Sequence, residues 1–192
     1  MPLTTLFSAL LLAVTGPAGF DLPCFYNQKG AGGMLERAPH CARREAGRLA
    51  FNPDVLRKMA FYEDGLSAVA TDGGWHWVRA DGASASVLTY DNGPDEFEAG
   101  LARGRLADGT MAYYDKQLNV ALATPYQWAE PFIDGIAVVC SRCGMQPTAD
   151  GEHSMVVGGD WGAIDRQGRL VLPLRGDAAS LRREADAARQ RR

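Results

Sequence analysis

Three triplets, Gly65-Leu66-Ser67, Gly100-Leu101-Ala102 and Gly135-Ile136-Ala137, recur at a constant spacing of 35 residues, and each glycine has an aromatic three places ahead of it: Tyr62, Phe97 and Phe132. A period of this size marks a supersecondary unit copied along the chain, whose copies bury their apolar faces against one another. That restricts the fold more than any other feature here. Leu66–Ala70 and Ile136–Cys140 are apolar runs of strand length, bounded by glycine or acidic residues. The unit is therefore read as β.

The second half of the unit aligns as Gly74-Trp75-His76-Trp77-Val78-Arg79, Thr110-Met111-Ala112-Tyr113-Tyr114-Asp115 and Asp160-Trp161-Gly162-Ala163-Ile164-Asp165. Trp75 to Met111 is 36 residues and Met111 to Trp161 is 50, so the third copy carries about 14 extra residues. Because a strand that lengthens alone loses register, the extra segment, Ser141 to about Val157, is expected to be a loop. Alternation places Trp75 and Trp77 on one strand face and His76 on the other, where a surface or loop-facing role is expected for it. The four tryptophans are expected in the core. Asp72-Gly73, Asp81-Gly82, Asn92-Gly93, Asp108-Gly109 and Gln167-Gly168 fit tight turns between strands. The expected class is all-β: an antiparallel meander of about three repeats, curled or stacked into one domain.

These residues resemble the WG-repeat family, whose copies read roughly Gly-x-Trp-Gly-x-Ile-Asp, then glycine, an apolar-proline pair, an aromatic and Gly-Leu-Ala. The third copy, Gly159 to Gly168 followed by Val171-Leu172-Pro173, matches best. The first has His76 where glycine is expected, and the second has Met111-Ala112 in place of Trp-Gly. Gly65, Leu66, Gly100, Leu101, Gly135, Ile136, Trp75, Trp161, Gly162 and Asp165 are the expected structural positions of the repeat. The resemblance implies a repeat scaffold without a common enzymatic chemistry.

Outside the repeats, Leu3–Val14 is an uncharged apolar run of signal-peptide length, followed by Gly16-Pro17-Ala18. The run is too short to span a bilayer, so cleavage after Ala18 is expected, with no transmembrane segment after processing. The expected organisation is a signal peptide at 1–18, a degenerate N-terminal unit at 19–61, WG-like repeats at 62–174 and a basic tail at 175–192. In a periplasmic or secreted chain, Cys24, Cys41, Cys140 and Cys143 read as two disulfides. Three pairings are open, and the neighbouring ones, Cys24–Cys41 and Cys140–Cys143, are preferred.

The chemical alternatives use the same insert. Cys140-Ser141-Arg142-Cys143 has thiol-oxidoreductase spacing, with Arg142 able to lower a thiolate pKa. Cys140, Cys143 and His153 could instead be three zinc ligands, although a zinc ribbon would show a second Cys-x-x-Cys. Asp91, Asp95, Glu96 and Glu98 lack calcium-loop spacing and are read as a solvated turn. No catalytic constellation stands out, and no cofactor is implied. The formal net charge of −3 does not favour nucleic acid. From Arg175 onward six arginines face three acids, with too few apolar residues for a buried stripe, so a solvated helix capped by Ser180 or a disordered end is expected. The expected function is binding or scaffolding for a protein or envelope component.

Overall fold

The computed structural model describes residues 19–45, 48–151 and 153–191; the expected signal peptide lies outside the described residues. The fold is mostly antiparallel β, as expected, and ends in a short helix.

The N-terminal part contributes β1 (Leu22–Asn27), β2 (Leu35–Glu45), β3 (Arg48–Phe51) and a single short helix, α1 (Pro53–Lys58). Asn52 caps α1 by accepting from the Asp54 amide at 2.9 Å, and Pro53 follows where no N–H is needed. Next come β4 (Leu66–Thr71), β5 (Gly74–Arg79) and β6 (Ser84–Val87). These six strands form one sheet in the order β3-β2-β1-β4-β5-β6. β1 hydrogen-bonds β4, so strands from before and after residue 62 share this sheet. The sheet curls until its edges meet, where Ser84 Oγ donates to the Leu49 carbonyl at 3.2 Å. Tyr26, Phe51, Met59, Val69 and Val78 pack together with the Cys24–Cys41 disulfide, which ties β1 to β2.

A small hairpin of β7 (Thr89–Tyr90) and β8 (Gly93–Pro94) leads to a three-stranded sheet of β9 (Ala102–Arg105), β10 (Met111–Tyr114) and β11 (Val120–Ala123). The last sheet runs β12 (Trp128–Ala129), β13 (Ile136–Pro147), β14 (Ser154–Asp165) and β15 (Leu170–Arg175) in chain order. Each marker triplet runs into the start of a strand, its glycine lying one residue before β4 and β13 and two before β9. Gly65, Gly100 and Gly135 adopt φ of 79°, 81° and 77°, a region that strains any residue with a Cβ. Ala99 and Asp134 are left-handed too, which gives the primed two-residue turn whose twist matches a hairpin. The motif aspartates close another recurrent turn. Asp115 Oδ1 accepts from the Asn119 amide, and Asp165 Oδ1 from the Arg169 amide, at 2.9 and 3.0 Å.

Four expectations are corrected. The segment expected as a loop, Ser141 to about Val157, is not one: β13 and β14 are both long, and their pairing keeps one register from Ile136–Asp165 to Pro147–Ser154. Adding equal lengths to both arms of a hairpin leaves register untouched, which the single-strand argument overlooks.

The basic tail is neither disordered nor merely solvated. It forms α2 (Ala178–Arg189), with Asp177 rather than Ser180 as the cap and Leu181 and Ala185 fully buried against Cys140, Trp161 and Ala163. A stripe made mainly of alanines suffices because small side chains let the helix lie close on the sheet. Its cations are used internally: Arg182 stacks 4.9 Å above Trp161 and pairs with Glu130, while Arg175 pairs with Glu184.

Asp95 does not belong to a solvated turn, being only 4% exposed in an ion pair with Arg103.

The alternation on β5 holds, but the faces are reversed. His76 is buried with Val78 on the inner side, and Trp75 and Trp77 are half-buried on the outer side; Trp128 is half-buried as well, and of the four tryptophans only Trp161 is fully in the core. Burial, with a smaller contribution from Arg44 and opposed by Asp72, pushes the His76 pKa down to about 4. The unfolded chain binds a proton near pH 6.5, so the stabilisation from keeping His76 neutral is complete above that pH. It is lost as pH falls from 6.5 towards 4, and amounts to about 3 kcal/mol. Urea midpoints for the protein and for His76→Gln, compared at pH 7 and pH 4.5, should show a smaller acid loss in the variant. Equal losses would refute the assignment.

Candidate functional site

The extended β13–β14 hairpin is the most distinctive surface feature. β12 accompanies β13 only as far as Cys140, and β15 accompanies β14 only from Trp161. Ser141–Pro147 and Ser154–Asp160 therefore pair with each other alone. Seven residues of strand extend about 24 Å. The tip is closed by Thr148, whose amide donates to the His153 carbonyl at 2.9 Å. Met145 and Met155 are 49% and 53% exposed on this arm. A groove of about 300 Å³ runs along its base, between Arg105, Gln127 and Trp128 on one side and Cys143, Met145 and Val156 on the other.

The four cysteines behave differently from one another. Cys24 and Cys41 are bonded, as preferred from sequence. The expected second bridge is not formed: Cys140 and Cys143 are free thiols. A left-handed Arg142, at φ 57°, lies between them and turns Cys143 towards the same cluster as Cys140. Opposite, a Cβ on Gly159 would lie 2.5 Å from the Ser141 carbonyl and 2.6 Å from Cys140 Sγ, so glycine is required there. The Cys143 thiol donates to the Cys140 carbonyl at 3.5 Å, and Cys140 Sγ lies 3.8 Å from the Gly158 carbonyl. Burial, reinforced by Cys143, pushes the Cys140 thiol up to about 12. Arg142 does not assist, because its guanidinium turns outward to pair with Asp160. This is the opposite of the environment that activates a thiolate.

The zinc alternative is not assembled either. His153 sits at the tip of the arm with its ring 2.8 Å from Asp150, whereas Cys143 pairs with Gly158 at the base. Among the described residues, no three His, Cys, Asp or Glu side chains converge on a possible metal position.

The other positions singled out in the sequence are structural. Leu66 and Ile136 are 1% exposed, Leu101 packs beside Met111 and Tyr113, and Gly162 leaves room for the Leu172 carbonyl. Sequence reasoning missed the joint between sheets. Asp95 Oδ2 accepts from the Arg103 amide at 2.7 Å and its carboxylate receives the guanidinium; Arg103 Nη1 reaches the Ala129 carbonyl at 3.2 Å and Trp77 Nε1 the Asp95 carbonyl at 2.8 Å. Two charged residues eight positions apart carry no local signal that they will be buried together.

Comparison with protein-family models, curated proteins and solved structures finds no match for this chain. Its class is thus defined by its own geometry: an antiparallel β protein with one disulfide and a projecting two-stranded arm. No helix among the described residues is long and apolar enough to cross a membrane.

Proposed function

We propose that this is an exported binding or scaffold module built from three WG-like copies, β4–β6, β9–β11 and β13–β15, which holds a protein or envelope component on the arm of the third copy. The projecting arm is the observation that carries this reading. Isolated two-stranded ribbons are marginal in water, and one that displays Met145 and Met155 to solvent gains most from a partner that covers them. The Cys24–Cys41 bridge is compatible with an oxidising compartment. A buried thiol with a raised pKa and a histidine held at the far end of the arm favour binding over thiol or metal chemistry.

The test replaces residues 142–159 with Asp-Gly, the pair that follows β4, so that Ser141 and Asp160 flank a short turn. Stability from urea denaturation should fall by no more than about 1–2 kcal/mol, since Cys140, Trp161 and the rest of the buried cluster are kept and only the partly buried Cys143 and Val156 and the Gly158 carbonyl beside it are lost. A photo-crosslinker at Met145 should capture an envelope partner that one at Met34, 69% exposed elsewhere, does not. Equal capture at both positions, or undiminished partner binding by the shortened protein, would remove the arm from the function.

A further inference from the structure

A second surface, separate from the arm, has a chemistry that the binding reading does not use. Between the turn preceding β4, the outer face of β5 and the β7–β8 hairpin lies an open cleft of about 510 Å³, lined by Tyr62, Trp77, Tyr90, Asp91, Pro94 and Glu96. Tyr62 and Tyr90 are 53% and 66% exposed. Large rings left this open beside a well-packed sheet make a candidate binding surface.

The cleft is held in shape. Trp77 donates its indole N–H to the Asp95 carbonyl, packs on Phe97 at 5.7 Å and meets Tyr62 edge-on at 6.1 Å. Its polar edge is occupied, so a ligand meets π surface. Asp91 and Asn92, at φ 44° and 65°, close the hairpin that carries Tyr90 and Pro94.

Charge identifies the occupant. The lining holds two carboxylates and no Lys or Arg, and the ion pairs among the described residues include neither Asp91 nor Glu96. The same aromatic cluster already seats one cation. Lys116 Nζ stands 5.8 Å over the Phe97 ring and 3.0 Å from Asp64 Oδ2. Tyr62 and Tyr90 share the open cleft with Asp91 and Glu96, so rings and carboxylates are again found together, here towards solvent. A planar guanidinium uses both components at once, stacking on a ring while its N–H fork faces a carboxylate. The cleft is open and larger than one such group fills, which suits a side chain carried on an extended chain. We propose that this cleft binds an arginine side chain presented by an extended peptide segment.

The probe is acetyl-Gly-Arg-Gly-Arg-Gly-amide, titrated into the full chain while the Trp77 indole N–H resonance, assigned with Trp77→Phe, is followed by NMR. A saturable shift is expected. The citrulline peptide, isosteric but neutral, should bind at least about tenfold more weakly, and Tyr90→Ala and Glu96→Gln should each weaken the arginine peptide by about fivefold or more. Both variants alter exposed side chains, and unchanged urea midpoints will establish that the fold persists. No saturable shift, equal binding of the citrulline peptide, or indifference to both variants would overturn the proposal. Tetramethylammonium saturating the same resonance more tightly than the peptide would also overturn it, in favour of a small ammonium ligand. The protein lacking the arm should still bind the peptide, so failure here and failure of the arm's function are separable.

Discussion

Asp95→Asn should destabilise the protein by about 3–5 kcal/mol, because it leaves the Arg103 guanidinium buried without its counter-charge. Asp95 and Arg103 are 4% and 6% exposed, and their network joins Trp77 of the first sheet to Ala129 of the last. A single break should therefore loosen the joint between sheets as well as one pair. Replacing both residues, as Asp95→Leu with Arg103→Met, should recover much of the loss, since a buried pair often exchanges for apolar groups at little cost. Urea denaturation of the three proteins decides the matter. A loss below about 1 kcal/mol in Asp95→Asn would mean that water reaches the guanidinium and that the joint is not dry.

The Cys24–Cys41 bridge should account for the next largest loss. Its partners lie 17 residues apart on neighbouring strands, so removing it with Cys24→Ala and Cys41→Ala should cost about 3 kcal/mol through the freed unfolded chain. Against a typical total of about 5–15 kcal/mol, that is a large share. Both sulfurs are buried, at 1% and 0% residue exposure. Mild reductant should thus leave the folded protein intact, while reductant with urea should lower the midpoint to that of the double variant. Peptide mapping without reduction should link Cys24 to Cys41 and leave Cys140 and Cys143 alkylatable once unfolded. A Cys140–Cys143 peptide would instead revive the second bridge, and indifference of the midpoint to reductant would refute the estimate.

For the functional surfaces, sequence and structure contribute unequally. Cys140, Cys143 and His153 attract attention in the sequence because their spacing suggests chemistry, yet the hairpin holds His153 at one end and the cysteines at the other. Tyr62 is marked in the sequence only as the aromatic ahead of Gly65, and Tyr90 carries no motif. They become a site only because β4, β5 and the β7–β8 hairpin bring them to one cleft. Ligand-facing rings and core-facing rings have the same composition, and only their exposure separates them.

What the sequence determines by itself is whatever depends on local backbone chemistry. The turns at Asp81-Gly82, Asn92-Gly93, Asp108-Gly109 and Gln167-Gly168 and the strand-length runs Leu66–Ala70 and Ile136–Cys140 were readable because each is set within a few residues by steric limits on φ and by short-range hydrogen bonding. Cys24–Cys41 was preferred only as a neighbouring pair, and it is the β1–β2 hairpin that brings the two together. Whatever depends on which surface meets which was decided by tertiary structure. Alternation on β5 shows that His76 opposes the tryptophans, but only the curling of the six-stranded sheet makes the His76 side the interior. The insert becomes an arm because two strands could extend in one register, and the basic tail becomes a packed helix because Trp161 and Cys140 offer its alanines a surface. Burial is a property of pairs of surfaces far apart in the chain, and no periodicity within one segment encodes its partner.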